Sequence, residues 1–348
     1  MSAADGTAAP RTGVVIGNAM AELRVSGIVE LAQLAEAAGY DLALVPESWG
    51  TESFSLLTAM GLATTRLRVG SAILPIANRS PGLVAQGAVT VSDAIGQGRL
   101  LVGLGMGHRA IAEGWHGVQG YSPKLDWLRG YVQRVRAALA GEPTAGGYSL
   151  AYPPNPGIPL YLAALRAGGM KLAGEVADGV LLYLIPEERI GDVALTVREA
   201  AAAAGRPGAC EVCLSLAVCV TETGAEVRAA REAARGTLAW YLSLPFYRDM
   251  LADCGFPGEA AAVSAAWASA RAAAGGGDPD ASGPTALVTD AMVDATFVIG
   301  DAASCRERIA AVRAAGVDRA IVYPFGPYAG RDENLAGFAR TIRACAGA

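Results

Sequence analysis

Short runs of apolar and β-branched residues alternate along the chain with longer segments in which apolar residues recur every three or four positions. The runs from Gly13 to Gly17, Leu42 to Pro46, Leu67 to Ile73, Leu100 to Leu104, Pro159 to Ala163, Gly179 to Tyr183, Val212 to Val220 and Arg319 to Tyr323 have the length and composition of buried strands. Between them lie segments such as VELAQLAEAAG, where Leu31, Leu34, Ala35 and Ala38 share one helical face and Gly39 supplies a stop. Eight such strand–helix units predict a parallel sheet closed on itself, a (β/α)8 TIM barrel. Two segments exceed the minimal unit. One, from His108 to about Pro156, follows the fourth strand; the other, from about Thr237 to Asp294, lies between the seventh and eighth. Both are expected to be insertions within a single domain spanning residues 1–348, with residues 1–11 a disordered N-terminus.

Composition narrows the function. Of 348 residues, 52% are hydrophobic and 18% charged, enough apolar side chain for a large core and too much for bulk disorder. The balance of 28 Lys+Arg against 33 Asp+Glu, without basic blocks, argues against nucleic acid or an anionic membrane as partner. The opening MSAADGTAAPRTG has no cationic stretch followed by an apolar one, and runs such as Gly179 to Pro186 are too short to span a bilayer, so a cytoplasmic protein is expected. Six cysteines in so long a chain do not make a disulfide scaffold, and Cys210 and Cys213 lie in a strand-like run that would turn them to opposite faces. With only two histidines, His108 and His116, neither a histidine-rich metal site nor a Ser/His/Asp nucleophile is expected. Small-molecule chemistry remains.

In barrels of this kind the loops after the strand C-termini build the active site. They carry Asn18, then Glu47, Ser48 and Trp49, then Ile73 to Arg79, then Gly105, Met106, Gly107 and His108, then Arg166, Gly168 and Gly169, and lastly Phe325 and Gly326. The stretch GLGMGH fails as a dinucleotide fingerprint, because His108 stands where a third glycine is needed. In ALRAGGMKLAG two glycines precede a helix, whose free N–H groups suit a phosphate. Glu47 at a strand end suits a general acid or base, or an acceptor of loop N–H groups. His108 is a candidate proton carrier, although an isolated histidine is more often a surface or packing residue. Trp49, Met106, Phe325 and Tyr328 are candidates for the apolar wall of a flat-ring pocket.

The segment LRVGSAILPIANRSPGLVAQGAVTVSDAIGQGRLLVGLGMG resembles the luciferase-like monooxygenase superfamily, with its GSAILP strand, the N-R-S-P of Arg79 and Pro81, SDAIGQGR with Asp93, Gly98 and Arg99, and the GLGMG strand in the same order. The resemblance extends through ELAQLAEAAGYDLALVPES, LAGEVADGVLL and the C-terminal FVIGDAASCRERIAAVRAAGVDRAIVYPFGP. It implies a barrel that binds the deazaflavin coenzyme F420, or alternatively FMN, with the ring against a bulge in the third strand and the phosphate at Arg166, Gly168 and Gly169. The deazaflavin branch carries a non-prolyl cis peptide there, at Ala72–Ile73 by position. Coenzyme contacts are thus expected from Asn18, Glu47, Ser71, Ala72, Ile73, Gly105, Met106, Arg166, Gly168 and Gly169, a substrate wall from Trp49 and Phe325, and proton transfer from Glu47 or His108.

Departures from the family pattern refine this. Sugar-phosphate dehydrogenases of the family carry His after that acid and Glu after the fourth-strand Gly, where this chain has Ser48 and Met106. The chain is more similar to the methylenetetrahydromethanopterin-reductase-like group, which implies hydride transfer between coenzyme F420 and a C=C, C=N or alcohol/carbonyl carbon. An FMN-dependent monooxygenase using oxygen is the alternative, and a barrel that has lost catalysis the third reading. By family analogy a homodimer is a candidate assembly.

Overall fold

The computed structural model describes residues 11–348; most of the N-terminal stretch expected to be disordered, residues 1–10, lies outside the described residues. Ten strands follow in chain order: β1 (Thr12–Val15), β2 (Leu42–Val45), β3 (Arg68–Ser71), β4 (Leu74–Pro75), β5 (Leu100–Gly105), β6 (Leu160–Ala163), β7 (Gly179–Tyr183), β8 (Glu211–Val220), β9 (Phe297–Gly300) and β10 (Arg319–Pro324). Every pairing is parallel, in the order β10-β1-β2-β3-β5-β6-β7-β8, and β10 also pairs with β8, which closes the barrel. The eight predicted strands are its staves.

Two strands were not anticipated. The run expected from Leu67 to Ile73 stops as a strand at Ser71, and the two-residue β4 resumes the pairing against Leu104 and Gly105. Between them the Ala72–Ile73 peptide bond is cis. The short β9 lies outside the closed ladder and pairs only with the second half of β8.

Each stave is apolar on both faces because it is covered on both. Inward-facing Val15, Leu42, Leu44, Leu101, Tyr161, Leu181, Cys213 and Ile321 fill the barrel as one cluster, and outward-facing residues pack under the helices as another. Cys213 belongs to the inner cluster and Cys210 to the outer one. At the N-terminal end of the barrel the fully buried Arg319 pairs with Asp41 and, at 3.3 Å, with Glu211. The ion cluster seals that end, since a guanidinium is retained in an interior only where carboxylates meet it. On the β3–β5 seam the backbones approach so closely that a Cβ at Gly103 would stand 2.1 Å from the Ser71 carbonyl oxygen.

After β5 the first long segment forms the helices Arg109–Gly114 and Leu125–Leu139. Between β8 and β9 stand helices Gly224–Leu242, Pro245–Asp253, Pro257–Ala274, Ser282–Ala286 and Asp290–Thr296, so the added structure begins within a helix that starts before Thr237. Among the described residues no helix is long and apolar enough to cross a membrane.

Candidate active site

The strand C-termini open into a cavity of about 1010 Å³. Its lining comes from several strand ends, from the segment after β5 and from helices Gly224–Leu242 and Pro245–Asp253, which lean over the mouth.

One side of the cavity is a low shelf. Ala72, Ile73, Gly105 and Met106 line it, and a Cβ at Gly105 would come within 2.8 Å of the Ile73 side chain, so the glycine keeps the shelf flat. Beside it, helix Ala167–Val176 begins with no side-chain cap, and Arg166, Ala167, Gly168 and Gly169 line the cavity. The first N–H groups of a helix have no partner within it, so this turn offers donors and the positive end of the dipole. Arg166 is itself held by Asp253 at 2.9 Å and Asp249 at 3.6 Å.

Glu47 reaches the cavity edge but is heavily engaged. Its carboxylate takes the Ser53 N–H at 2.8 Å and Arg79 through contacts of 2.9, 3.1 and 3.2 Å, and it is only 8% exposed. A carboxylate so saturated by donors is a fixed anion that orders the loop after β2, which favours the acceptor role over proton transfer. Asn78 continues the chain of contacts, its Nδ2 lying 3.5 Å from Glu47 and 3.2 Å from Nε2 of His116.

The opposite side is aromatic. His108 lines the cavity 6.0 Å from the Tyr247 ring, and burial holds its pKa below the usual 6.5, so the imidazole is neutral near pH 7. Tyr183 and Tyr323, near the ends of β7 and β10, meet Tyr241 and Tyr247 from the second insertion.

The sequence-derived positions divide accordingly. Glu47, Ala72, Ile73, Gly105, Met106, His108, Arg166, Gly168 and Gly169 line one cavity. Asn18, Ser71, Phe325 and Trp49 do not. Asn18 donates at 2.8 Å to the Pro324 carbonyl, and the buried Ser71 hydroxyl ties the β3–β5 seam through both backbone groups of Gly103. Phe325 is a correction: β10 ends at Pro324, and the ring turns into the outer core at 5.0 Å from Phe297. Trp49 stands on the rim, 53% exposed and 6.1 Å from Trp240, which does line the cavity. Tyr328 packs on Phe338, away from the cavity. Sequence reasoning missed His116 and the four tyrosines; the rule that reactive groups sit at strand C-termini was the available signal for Tyr183 and Tyr323.

A closed parallel barrel with a large cavity at its strand C-termini, and an uncapped helix start in the cavity's lining, has the architecture of a TIM-barrel enzyme. The match to the family model described as luciferase-like monooxygenase covers residues 7–319, and the chain belongs to that family. A Mycobacterium tuberculosis protein provisionally named a coenzyme F420-dependent oxidoreductase is 28% identical over 326 residues, covering 84% of this chain and 89% of that one. The 5,10-methylenetetrahydromethanopterin reductase of Methanolobus tindarius is 26% identical over 315 residues, covering 86% and 91%. Among solved structures, the coenzyme F420-dependent tetrahydromethanopterin reductase from Methanopyrus kandleri superposes with a TM-score of 0.74 at 20% identity over 96% of this chain and 98% of that one.

Proposed function

We propose that this protein is an oxidoreductase that uses coenzyme F420 to move a hydride to or from a small organic substrate. The observation that carries the reading is the pairing, within one cavity, of the small apolar shelf at Ala72, Ile73 and Gly105 with the uncapped helix start at Arg166 to Gly169. A flat tricycle fits the first and its phosphate the second. The full-length likeness to relatives named for this coenzyme supports it.

When bound, the deazaflavin supplies a hydride-exchanging carbon at ring C5. The chain's own residues do the rest. Ala72, Ile73 and Gly105 would support the ring face, and the N–H groups of Ala167, Gly168 and Gly169 would hold the phosphate. Arg79 fixes the Glu47 side chain, which orders the rim between β2 and β3. Trp240 and Phe246 add apolar surface to the cavity lining. The His108 imidazole, held neutral by burial, has a ring nitrogen that could accept a hydrogen bond or a proton from a bound substrate.

Titration of the purified protein with oxidised F420 and, separately, with FMN, followed through coenzyme fluorescence, tests the proposal. Saturable binding of F420, at least tenfold tighter than FMN, is expected. Preference for FMN together with oxygen consumption would replace it with the monooxygenase reading, and binding of neither coenzyme would remove it.

A further inference from the structure

The half of the cavity facing the shelf has an unusual chemical make-up. Tyr183, Tyr241, Tyr247 and Tyr323 stand with ring centroids 4.5 to 6.5 Å apart, two from strand ends and two from the second insertion. The rings meet tilted or edge-on, so they pack against one another rather than opening as a box around a central guest. Burial raises all four phenols above their ordinary pKa of 10, and the titrating groups that further perturb them are other members of the same cluster. His108, beside Tyr247, is neutral for the same reason.

Two acids of the mouth are committed elsewhere. Asp249 and Asp253 pair with Arg166, and Asp249 also with Arg248. Among the described residues, the hydroxyls of Tyr247 and Tyr323 meet no protein hydrogen-bond partner. That of Tyr323 lies against Gly17, where a Cβ would come within 2.6 Å of it. A hydroxyl that lines the cavity and has no protein partner is a donor free to meet an acceptor on a ligand.

We infer that this half of the cavity is built for the uncharged, planar, carbonyl-bearing end of a substrate, whose oxygen accepts a hydrogen bond from Tyr247 or Tyr323 while its flat body lies along the cavity side of the tyrosine cluster. A charged group placed there would lose its hydration and find no opposite charge in return. Charge on the substrate is therefore carried at the far end, toward the mouth, or is absent. The inference rests on the proposed function only for which end of the substrate reacts; the selectivity belongs to the chamber itself.

The test uses three probes of similar size that differ in the group offered to the tyrosines: acetophenone, with an uncharged carbonyl, and benzoate and phenyltrimethylammonium, with a charge in its place. Each is titrated into the full chain labelled at the tyrosine ring carbons, with and without F420, and followed by NMR. Acetophenone is expected to shift the signals of the four tyrosines, assigned by single Tyr→Phe variants, and to bind at least tenfold more tightly than either charged probe. The Tyr247→Phe and Tyr323→Phe variants retain the rings, and at least one of them should weaken acetophenone binding three- to tenfold while the dispersion of the remaining signals shows an intact fold. Equal or tighter binding of a charged probe, absence of tyrosine shifts with acetophenone, or full binding by both variants overturns the inference. Failure of F420 to bind, with the probe selectivity intact, would count against the coenzyme assignment alone.

Discussion

Replacing Arg79 with Met separates a structural from a catalytic role for Glu47. The guanidinium makes three contacts of 2.9 to 3.2 Å with that carboxylate, and the two side chains are 13% and 7% exposed. Removing it leaves Glu47 with the Ser53 N–H and a long contact from Asn78 as its remaining donors, a nearly unpaired charge in a low-dielectric rim. Breaking one side of a buried pair costs about 3–5 kcal/mol. The converse change is milder. Glu47→Gln preserves shape and an acceptor for Ser53, and Arg79 keeps Glu52, which is 44% exposed, so the loss is about 1–3 kcal/mol. Urea unfolding, analysed by linear extrapolation, measures both. In turnover, Glu47→Gln should leave the pH profile of kcat unchanged and lower the rate no more than tenfold. An Arg79→Met loss no greater than that of Glu47→Gln, or a Glu47→Gln enzyme of wild-type stability whose rate falls a thousandfold with one limb of its pH profile gone, would refute the reasoning and return Glu47 to acid–base catalysis.

Three further outcomes follow from the same structure. Ala167→Asp places a negative charge in the first turn of helix Ala167–Val176, where it favours the helix but opposes a phosphate; F420 affinity should fall at least tenfold while the melting temperature holds or rises. His108 has a folded pKa below its unfolded value of about 6.5, so the unfolded chain binds the extra proton, and stability falls as pH drops below that value until the folded pKa is reached. Thermal unfolding between pH 7.5 and 5 should therefore lose less stability in His108→Asn than in the parent, and parallel curves would contradict the burial argument. Gly103→Ala would drive a Cβ to within 2.1 Å of the Ser71 carbonyl, so circular dichroism should show a large fall in melting temperature.

The barrel was legible because parallel staves buried on both faces leave continuous apolar runs, and helices packed on one side leave a stripe at helical spacing. What escaped was set by short range or by distance. The break after Ser71 gives no hydrophobic signal, since Ala72 to Pro75 remain apolar; the family resemblance located it, at the cis Ala72–Ile73 bond. β9 is four residues beside one neighbour, too short to stand out from the helices around it. Phe325 was placed at the site by the rule that residues just after a strand end face the mouth, but β10 runs on to Pro324 and the next ring packs outward against Phe297. Tyr241 and Tyr247 lie in WYLSLPFYRD, visible as an insertion, and only its docking over the mouth brings them to Tyr183 and Tyr323. His116 was set aside for want of ligand spacing, and its neighbour Asn78 is 38 positions away.

The most direct test is a crystal structure of the protein soaked with F420. The account requires the deazaflavin ring over Ala72, Ile73 and Gly105, its phosphate on the backbone N–H groups of Ala167 to Gly169, and its open face toward Tyr183, Tyr247 and Tyr323. A ring seated among the tyrosines, or a phosphate held anywhere but that first helical turn, would contradict it.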